Sequence, residues 1–552
     1  MAGLLGFLVH VVSELRTPVE ERNGRRRVWG RVTRDLLTVY KQYACSKNRL
    51  PTCRLREAFN SLHLFPSNSQ VYEMVQCAVE CGSPCELDNI SFGEFCVLVS
   101  ELQTYYLRKP VTPQPRSMYR ERSSSSPCKR WQHRVFLGGS CNPTSWRQDT
   151  AIPFFKQHGI TFYNPQVQSW REELVELEAR AKQGADILFF VIDNQTRAIT
   201  SMIETAYLVA TRRQVIAIIH EYDKNIKICG EEVPNSEVKD LLRGRQILVD
   251  LVERNSIPVF TSLNTALTCT QTALDKGLKI EELIVDDGVQ PVLYGYLKVG
   301  TALLQMREAF NSMDSTGSCH ISAKDVCLAY KSCTGGQILD LEWLSNHRNR
   351  SHDDQYNFEA FCCIVVEYQR KSKPFIEKLI QLFRCLLQKL TNHSIALNCS
   401  NVQEGRDIYL GGSCGDSNWR ERIAVPLLRK HGLSYANPFV NDWEQRLIPI
   451  QVAIREKCRL LLYIISDRTR SISSMIEAGY YIGKGCKVVL CVKELPDDVT
   501  VGKEALSECA VKDYQRGRAY LIDLASREGV HLFDDVTEAV ICAINYLKDG
   551  HM

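Results

Sequence analysis

The sequence predicts an α/β plus all-α protein in which two doubly wound parallel five-stranded sheets alternate with two helical modules. Three observations predict it. First, the chain is written twice: Ile199 to Tyr207 reads ITSMIETAY and Ile472 to Tyr480 reads ISSMIEAGY, which puts Glu204 and Glu477 273 residues apart. The same offset pairs Gly138-Gly139-Ser140-Cys141 with Gly411-Gly412-Ser413-Cys414, Trp146 with Trp419, and Asn164-Pro165 with Asn437-Pro438. It also pairs Trp170 with Trp443 and Arg243-Gly244-Arg245 with Arg516-Gly517-Arg518. No insertion separates the copies over about 140 residues, and roughly three positions in ten are identical. Second, within each copy short apolar runs alternate with helical stretches, as a parallel sheet requires. Third, the stretch before each copy reads as helices joined by short loops.

A chain of 552 residues suits roughly three to five domains. Its 44% apolar and 24% charged residues are those of an ordinary water-soluble protein, and a net charge of +4 is too small to argue for nucleic acid or a membrane surface. We therefore expect neither as a partner. The 23 cysteines form no disulfide framework. Cys77, Cys81 and Cys85 recur every four residues but lack C-x-x-C knuckles, so they are expected as free thiols rather than a metal cluster. Gly3 to Val12 is apolar over about ten residues with no basic residue before it, which suits an amphipathic helix better than a signal peptide, and no later run is long enough to span a bilayer. A reducing, cytoplasmic setting is the expectation.

Taken in order, residues 1–26 form an N-terminal segment and 27–102 a helical pair. Arg34 to Tyr40, Leu55 to Leu62 and Gln70 to Val79 are helical, and Ile90-Ser91-Phe92-Gly93-Glu94-Phe95 leads into a fourth helix. That phrase has the form of an EF-hand exit, with an apolar residue at loop position 8 and Glu94 at 12. Counting back places Ser83, Cys85 and Leu87 at positions 1, 3 and 5, which offer no oxygen cage, and the Tyr43–Arg54 loop ends on an arginine. The pair is expected to be kept for packing. Residues 103–133, with Pro110, Pro113, Pro115 and a serine run, are a basic linker.

Residues 134–276 form the first α/β domain. Strands are expected at Val135–Leu137, Ile160–Tyr163, Asp186–Ile192, Val215–Ile219 and Ile257–Phe260. Helices are expected at Trp146–His158, Gln168–Gln183, Ile199–Thr211, Glu237–Arg254 and Leu263–Leu274. After a connector, 277–299, a second EF-hand-like pair covers 300–371. Its first loop offers Asp314, Thr316, Ser318 and Asp325 as oxygens, but Cys319 replaces the turn glycine and only two ligands are charged. Calcium affinity there should lie at or beyond the ~10⁻⁴ M range. The second loop has Ala360 at position 12 and should not bind. A helical connector, 372–406, leads to the second α/β domain, 407–552.

Three segments of each copy are expected at the carboxyl ends of the strands, where open α/β sheets bind ligands. Gly138-Gly139-Ser140 and Gly411-Gly412-Ser413 let backbone amides and a hydroxyl approach an anion at a helix start. Glu204 and Glu477 lie in the first turns of an apolar helix whose positive end favours a carboxylate, with Arg197 and Arg470 on the loop that enters it. Such a carboxylate suits attack on an anomeric carbon or binding of ribose hydroxyls. Lys239 and Arg243, with Lys512 and Arg516 in the other copy, form a basic helical face suited to phosphate.

A strand ending in FLGGS, an Asn-Pro before a helix and a helix bearing Met-Ile-Glu resemble the nucleoside 2-deoxyribosyltransferase-like superfamily, which includes N-glycosidases of deoxynucleoside monophosphates. The resemblance covers both α/β copies and implies flavodoxin-like sheets. It maps the family's catalytic glutamate onto Glu204 and Glu477, and its phosphate loop onto Ser140 and Ser413. Family transferases carry an aspartate six residues before the glutamate, where this chain has Ala198 and Ser471. They carry another on the helix before the third strand, where Glu176 and Glu178 stand opposite Pro449 and Gln451.

The sequence thus points to a nucleotide- or nucleoside-binding protein whose copies hold an N-glycosidic ligand or cleave it through a glutamate. The alternative is a non-enzymatic interaction or regulatory protein built from pseudo-enzyme and EF-hand-like modules with little calcium binding. No cofactor is expected. Because subunits of the family complete one another's pockets, the two α/β domains are expected to face each other as an internal pseudo-dimer.

Overall fold

The computed structural model describes residues 29–45, 48–81, 88–108, 133–166, 173–222, 226–228, 230–292, 299–346, 355–371, 406–413, 418–438, 447–496, 499–502 and 504–549. The expected N-terminal amphipathic helix, Cys85, Trp170, Trp443, most of the basic linker and nearly all of the connector before residue 406 lie outside them. The chain divides into two compact units, and each gathers segments distant in sequence: residues 1–113 with 296–398, and 114–295 with 399–552.

In the first unit both helical pairs share one apolar core that includes Tyr40, Phe59, Phe95, Phe310, Tyr330 and Phe361. Each pair carries a short antiparallel bridge, Leu50 opposite Ile90 and Ile321 opposite Tyr356. The pairs are joined reciprocally through helix starts. Glu367 accepts from the amides of Val32 and Thr33 at 3.2 and 2.8 Å, capping the helix Arg31–Tyr43. Glu101 accepts from Gly300 and Ala302 at 2.7 and 3.4 Å, capping Thr301–Met313. Free amides at a helix start favour a carboxylate, so each pair supplies the cap the other lacks.

The second unit holds both α/β domains. In the first, the elements are β1 (Val135–Gly139), α1 (Ile152–Gln157), β2 (Phe162–Tyr163), α2 (Glu173–Gly184), β3 (Ile187–Ile192), α3 (Ile199–Ala210), β4 (Val215–Ile219), β5 (Lys227–Ile228), β6 (Glu231–Glu232), α4 (Asn235–Arg254), β7 (Val259–Phe260) and α5 (Leu263–Lys276). The second runs β8 (Ile408–Gly412), α6 (Val425–Lys430), β9 (Tyr435–Ala436), α7 (Leu447–Glu456), β10 (Leu460–Ile465), α8 (Ile472–Gly483), β11 (Val488–Val492), β12 (Thr500–Val501), β13 (Glu504–Ala505), α9 (Glu508–Arg527), β14 (His531–Phe533) and α10 (Val536–Asp549). The sheets order as β2-β1-β3-β4-β7 and β9-β8-β10-β11-β14, parallel throughout. This is the flavodoxin-like doubly wound order, with its switch beside the first strand. Central strands β3 and β10 are apolar and buried along their whole length, as helices on both faces require. The hairpins β5–β6 and β12–β13 add to the predicted elements; their two-residue strands carry no apolar period to read.

The two α/β domains pack through α3 and α4 against α8 and α9, and their cores merge into one apolar cluster. A Cβ on Gly244 would lie 2.6 Å from Ile472 Cγ2, and one on Gly517 would lie 2.6 Å from Ile199 Cγ2. Only glycine lets the helices approach that closely. Polar pairs repeat the exchange: Arg197 reaches Asp513 at 3.3 Å while Arg470 reaches Asp240 at 2.9 Å. Tyr207 donates to Glu528 at 2.6 Å, and Asn255 donates to Tyr480 at 3.0 Å. Every one of these contacts recurs with the copies swapped, which is the pattern of an isologous two-fold interface. No helix among the described residues is long and apolar enough to cross a membrane.

Candidate ligand site

Each strand-end turn is held by its own side chains. Gly139 has φ +103° and Gly412 φ +97°, and a Cβ on either would strike the carbonyl of Val191 or Ile464 on the neighbouring strand. The next amide is already used: Ser140 N donates to Val191 O at 2.8 Å and Ser413 N to Ile464 O at 3.0 Å. Ser140 Oγ accepts from Asp193 N and Thr196 Oγ1, at 3.0 and 2.8 Å. Ser413 Oγ lies 2.6 Å from both Ser471 Oγ and Thr469 Oγ1. Arg147 donates to the carbonyls of Leu137, Gly139 and Ser140, and Arg420 to those of Leu410 and Gly412. The expected anion cradle is thus a tightly tied turn whose serine amide and hydroxyl serve the fold. Gly138 and Gly411 are needed for packing, since a Cβ would meet the rings of Phe190 and Tyr463.

The entry to the glutamate helices is strained at the same place in both copies. Ala198 and Ser471 hold left-handed φ of 50° and 55°, a conformation costing of order 1–3 kcal/mol for a residue with a side chain. Glu204 and Glu477 sit six residues further in, each nearly buried and each ion-paired to a cation from the helix before the third strand. Lys182 Nζ lies 2.5 Å from Glu204 Oε1, and Arg455 NH2 lies 2.8 Å from Glu477 Oε1. Lys182 and Arg455 are themselves 273 residues apart. Sequence reading overlooked them, although the repeat offset carried the signal: a cation retained opposite a retained glutamate.

Around these pairs the copies differ. Lys182 also contacts Glu178 at 2.7 Å and stands 5.1 Å over the ring of Phe136. Burial opposes its charge, but Glu204 and Glu178 outweigh that and raise its pKa. Tyr520 of the second domain hydrogen-bonds Glu204, and burial together with that carboxylate pushes the phenol far up. In the second copy Arg455 donates to Tyr409 at 2.9 Å and to Tyr481 at 3.4 Å. Burial works against the guanidinium, yet Glu477 and the phenols hold its pKa well above the usual value. Burial pushes Tyr409 up to about 12 and holds Tyr463 well above the usual phenol value. Arg243, from α4 of the first domain, faces Glu477 and Tyr409 across the seam.

The remaining predicted site residues go elsewhere. Arg197 is buried, with Nε 2.6 Å from Glu237, and Arg470 bonds Asp240, Glu504 and Ser236; neither is available to a phosphate, because each is committed to carboxylates at the seam. Lys239 is exposed, Lys512 pairs with Glu508 one turn back at 2.6 Å, and Arg516, 73% exposed, lies 4.0 Å from Asp513. Of the predicted basic residues, Arg243 is the one brought to a predicted catalytic glutamate, Glu477.

In the calcium candidate, Asp314 accepts from Ser318 N at 3.0 Å and Cys319 N at 2.7 Å, and Thr316 and Ser318 donate to it at 3.3 Å. Asp325 instead bonds Ser322 at 2.7 Å. Cys319 adopts φ +59°, the turn a glycine would make freely. Among the described residues no group of three or more His, Cys, Asp or Glu is placed to hold a metal. Cys509 is disulfide-bonded, which corrects at that position the expectation of free thiols; Cys77 and Cys81 are buried and form no disulfide.

The comparison with protein families falls on both copies. Residues 132–222 and 405–495 each match the family described as nucleoside 2-deoxyribosyltransferase like. Each match takes in the strand-end turn, the buried cation and the glutamate, and ends before α4 or α9, the helices that bring Arg243 and Tyr520 to the other copy. No curated protein matches the chain.

Proposed function

We propose that the α/β pair binds a nucleoside or nucleotide at the ends of its strands and does not cleave it. The observation that carries this reading is the ion pair on each glutamate, 2.5 Å to Lys182 and 2.8 Å to Arg455. A nucleophilic carboxylate must offer an oxygen lone pair to the anomeric carbon. A charge-assisted bond to a buried cation lowers that oxygen's nucleophilicity and fixes its direction. The same pair, with phenols around it, is well suited to hold hydroxyls and a base edge. The match of both domains to a nucleoside-processing family supports the ligand class, and the paired glutamates support retention without turnover.

Titration calorimetry of the full chain with deoxynucleosides and deoxynucleoside monophosphates should show saturable binding, while chromatography of the same mixtures should show no free base. Release of base by the natural chain, abolished in a Glu204→Gln/Glu477→Gln variant of unchanged melting temperature, would replace this reading with an N-glycosidase. Absence of binding by every nucleoside and nucleotide tried would remove it.

A further inference from the structure

The two glutamate pockets share a backbone plan but not a charge. At Glu204 one lysine, Lys182, faces two carboxylates, Glu204 and Glu178. At Glu477 the counterpart of Glu178 is the neutral Gln451, and two guanidiniums, Arg455 and Arg243, face one carboxylate. Asp240 also acts on Arg243, but that carboxylate lies at the rim, 2.9 Å from Arg470. The second pocket also has three phenols, Tyr409, Tyr463 and Tyr481, where the first has Phe136, Phe190 and Leu208.

Two of its buried polar atoms are unused. Tyr463 Oη and Arg455 Nε have no hydrogen-bond partner among the described residues, and both side chains are at most 2% exposed. A buried donor left without an acceptor costs roughly 1–3 kcal/mol, so a native fold keeps such groups where something else satisfies them. Tyr463 acts electrostatically on Arg455, Glu477, Tyr409 and Tyr481, which places its hydroxyl in this cluster. The first copy has Phe190 at that position, with no hydroxyl to satisfy.

We propose that the second copy's pocket is the anion site of the protein: it takes the phosphate of a nucleoside monophosphate against Arg455, Tyr463 and the Arg243 supplied by the first domain. The first pocket, with its excess of carboxylate, rejects phosphate. This deepens the binding reading above by naming the site and the charged group, and it rests on that reading for the nucleoside. Arg243 acts as a binding residue in trans, and the seam exists in part to deliver it. Its counterpart Arg516 lies exposed beside Asp513 and does no such work.

The test is calorimetric titration of the full chain with 2′-deoxyadenosine 5′-monophosphate and, separately, with inorganic phosphate. One monophosphate per chain is expected. Tyr463→Phe removes only an unpartnered hydroxyl, so the fold survives, and affinity should fall about threefold to tenfold. Arg243→Gln should cost about tenfold or more, the size of a charge-assisted contact, while the matched Arg516→Gln leaves affinity unchanged. Two monophosphates per chain, or equal loss in Arg243→Gln and Arg516→Gln, would overturn the proposal, as would full affinity in Tyr463→Phe. Nucleotide binding with those outcomes leaves the broader nucleoside reading intact. Inorganic phosphate binding that follows the expected variant pattern, without any nucleoside or nucleotide, overturns the nucleoside reading and keeps the anion site. Binding of neither probe overturns both.

Discussion

The two α/β copies have nearly superimposable plans and unlike interiors. At the seam the closest helix contacts and the arginine pairs have their mirrors: Gly244 on Ile472 and Gly517 on Ile199, Arg197 to Asp513 and Arg470 to Asp240. At the pockets the mirror fails, with Lys182 and phenylalanines in one and Arg455 and tyrosines in the other. The interface is what the duplication had to keep, since each half covers the apolar helices of the other. The glutamate sites differ in their linings although each draws one residue across the seam, Tyr520 in one and Arg243 in the other. Symmetry therefore marks the helix packing of this unit, and the surroundings of the two glutamates depart from it.

The largest expected effect separates the pockets. Arg455→Met would remove from Glu477 and Tyr409 a donor that is 2% exposed, and removing one partner of a buried pair costs about 3–5 kcal/mol. Lys182→Met leaves Glu204 its bond to Tyr520, and Lys182 is itself 19% exposed against 2% for Arg455, so about 1–2 kcal/mol is expected. Urea unfolding of the two variants measures the gap directly. Equal losses would mean that the pockets are energetically alike and the asymmetry is superficial.

The seam should give the opposite result. Gly244→Ala and Gly517→Ala each put a methyl 2.6 Å from an isoleucine Cγ2 on the facing helix. Overpacking of that kind costs about 1–3 kcal/mol and outweighs the roughly 1 kcal/mol that alanine gains over glycine within a helix. The two variants should lose the same stability by urea titration, within about 0.5 kcal/mol. A difference larger than that would break the claim of a symmetric interface.

Much of the plan was legible in the sequence for identifiable reasons. The buried strands Ile187–Ile192 and Leu460–Ile465 are uninterrupted apolar runs, and the helices between strands carry the 3.6-residue period, so element order followed from pattern alone. The Gly-Gly-Ser turns were read as ligand loops because glycine beside a helix start serves a phosphate and a close strand equally well. Only the carbonyls of Val191 and Ile464 decide between the two. Arg197 and Arg470 looked like site residues because they precede the glutamates in sequence, but each is held by one carboxylate of its own copy and one of the other. Lys182 and Arg455 were legible through the repeat but lay on a helix searched only for acids. The facing of the two α/β domains was expected from the family resemblance, whereas the gathering of the two helical pairs could not be read from chain order, since it depends on which apolar faces find each other.

The smallest expected effect lies at the strained entry to the glutamate helices, where one copy has Ala198 and the other Ser471. Both backbones hold the left-handed conformation, so the strain is common to the copies and only the side chain differs. Ser471 Oγ lies 2.6 Å from Ser413 Oγ and 2.8 Å from Thr469 Oγ1, joining the strand-end turn to the helix start. In the first copy that junction is made without position 198, because Ser140 Oγ already accepts from Asp193 N and Thr196 Oγ1. Ser471→Ala should therefore cost about 1 kcal/mol, the net value of a partly buried hydrogen bond. Ala198→Ser should change stability by less than about 0.5 kcal/mol, since Ser140 has no lone pair left in good geometry. Chemical denaturation of the two single variants and of the exchanged pair checks both values. If the first copy gained a full hydrogen bond from Ala198→Ser, its turn would be an unfinished version of the second rather than an alternative solution to the same junction.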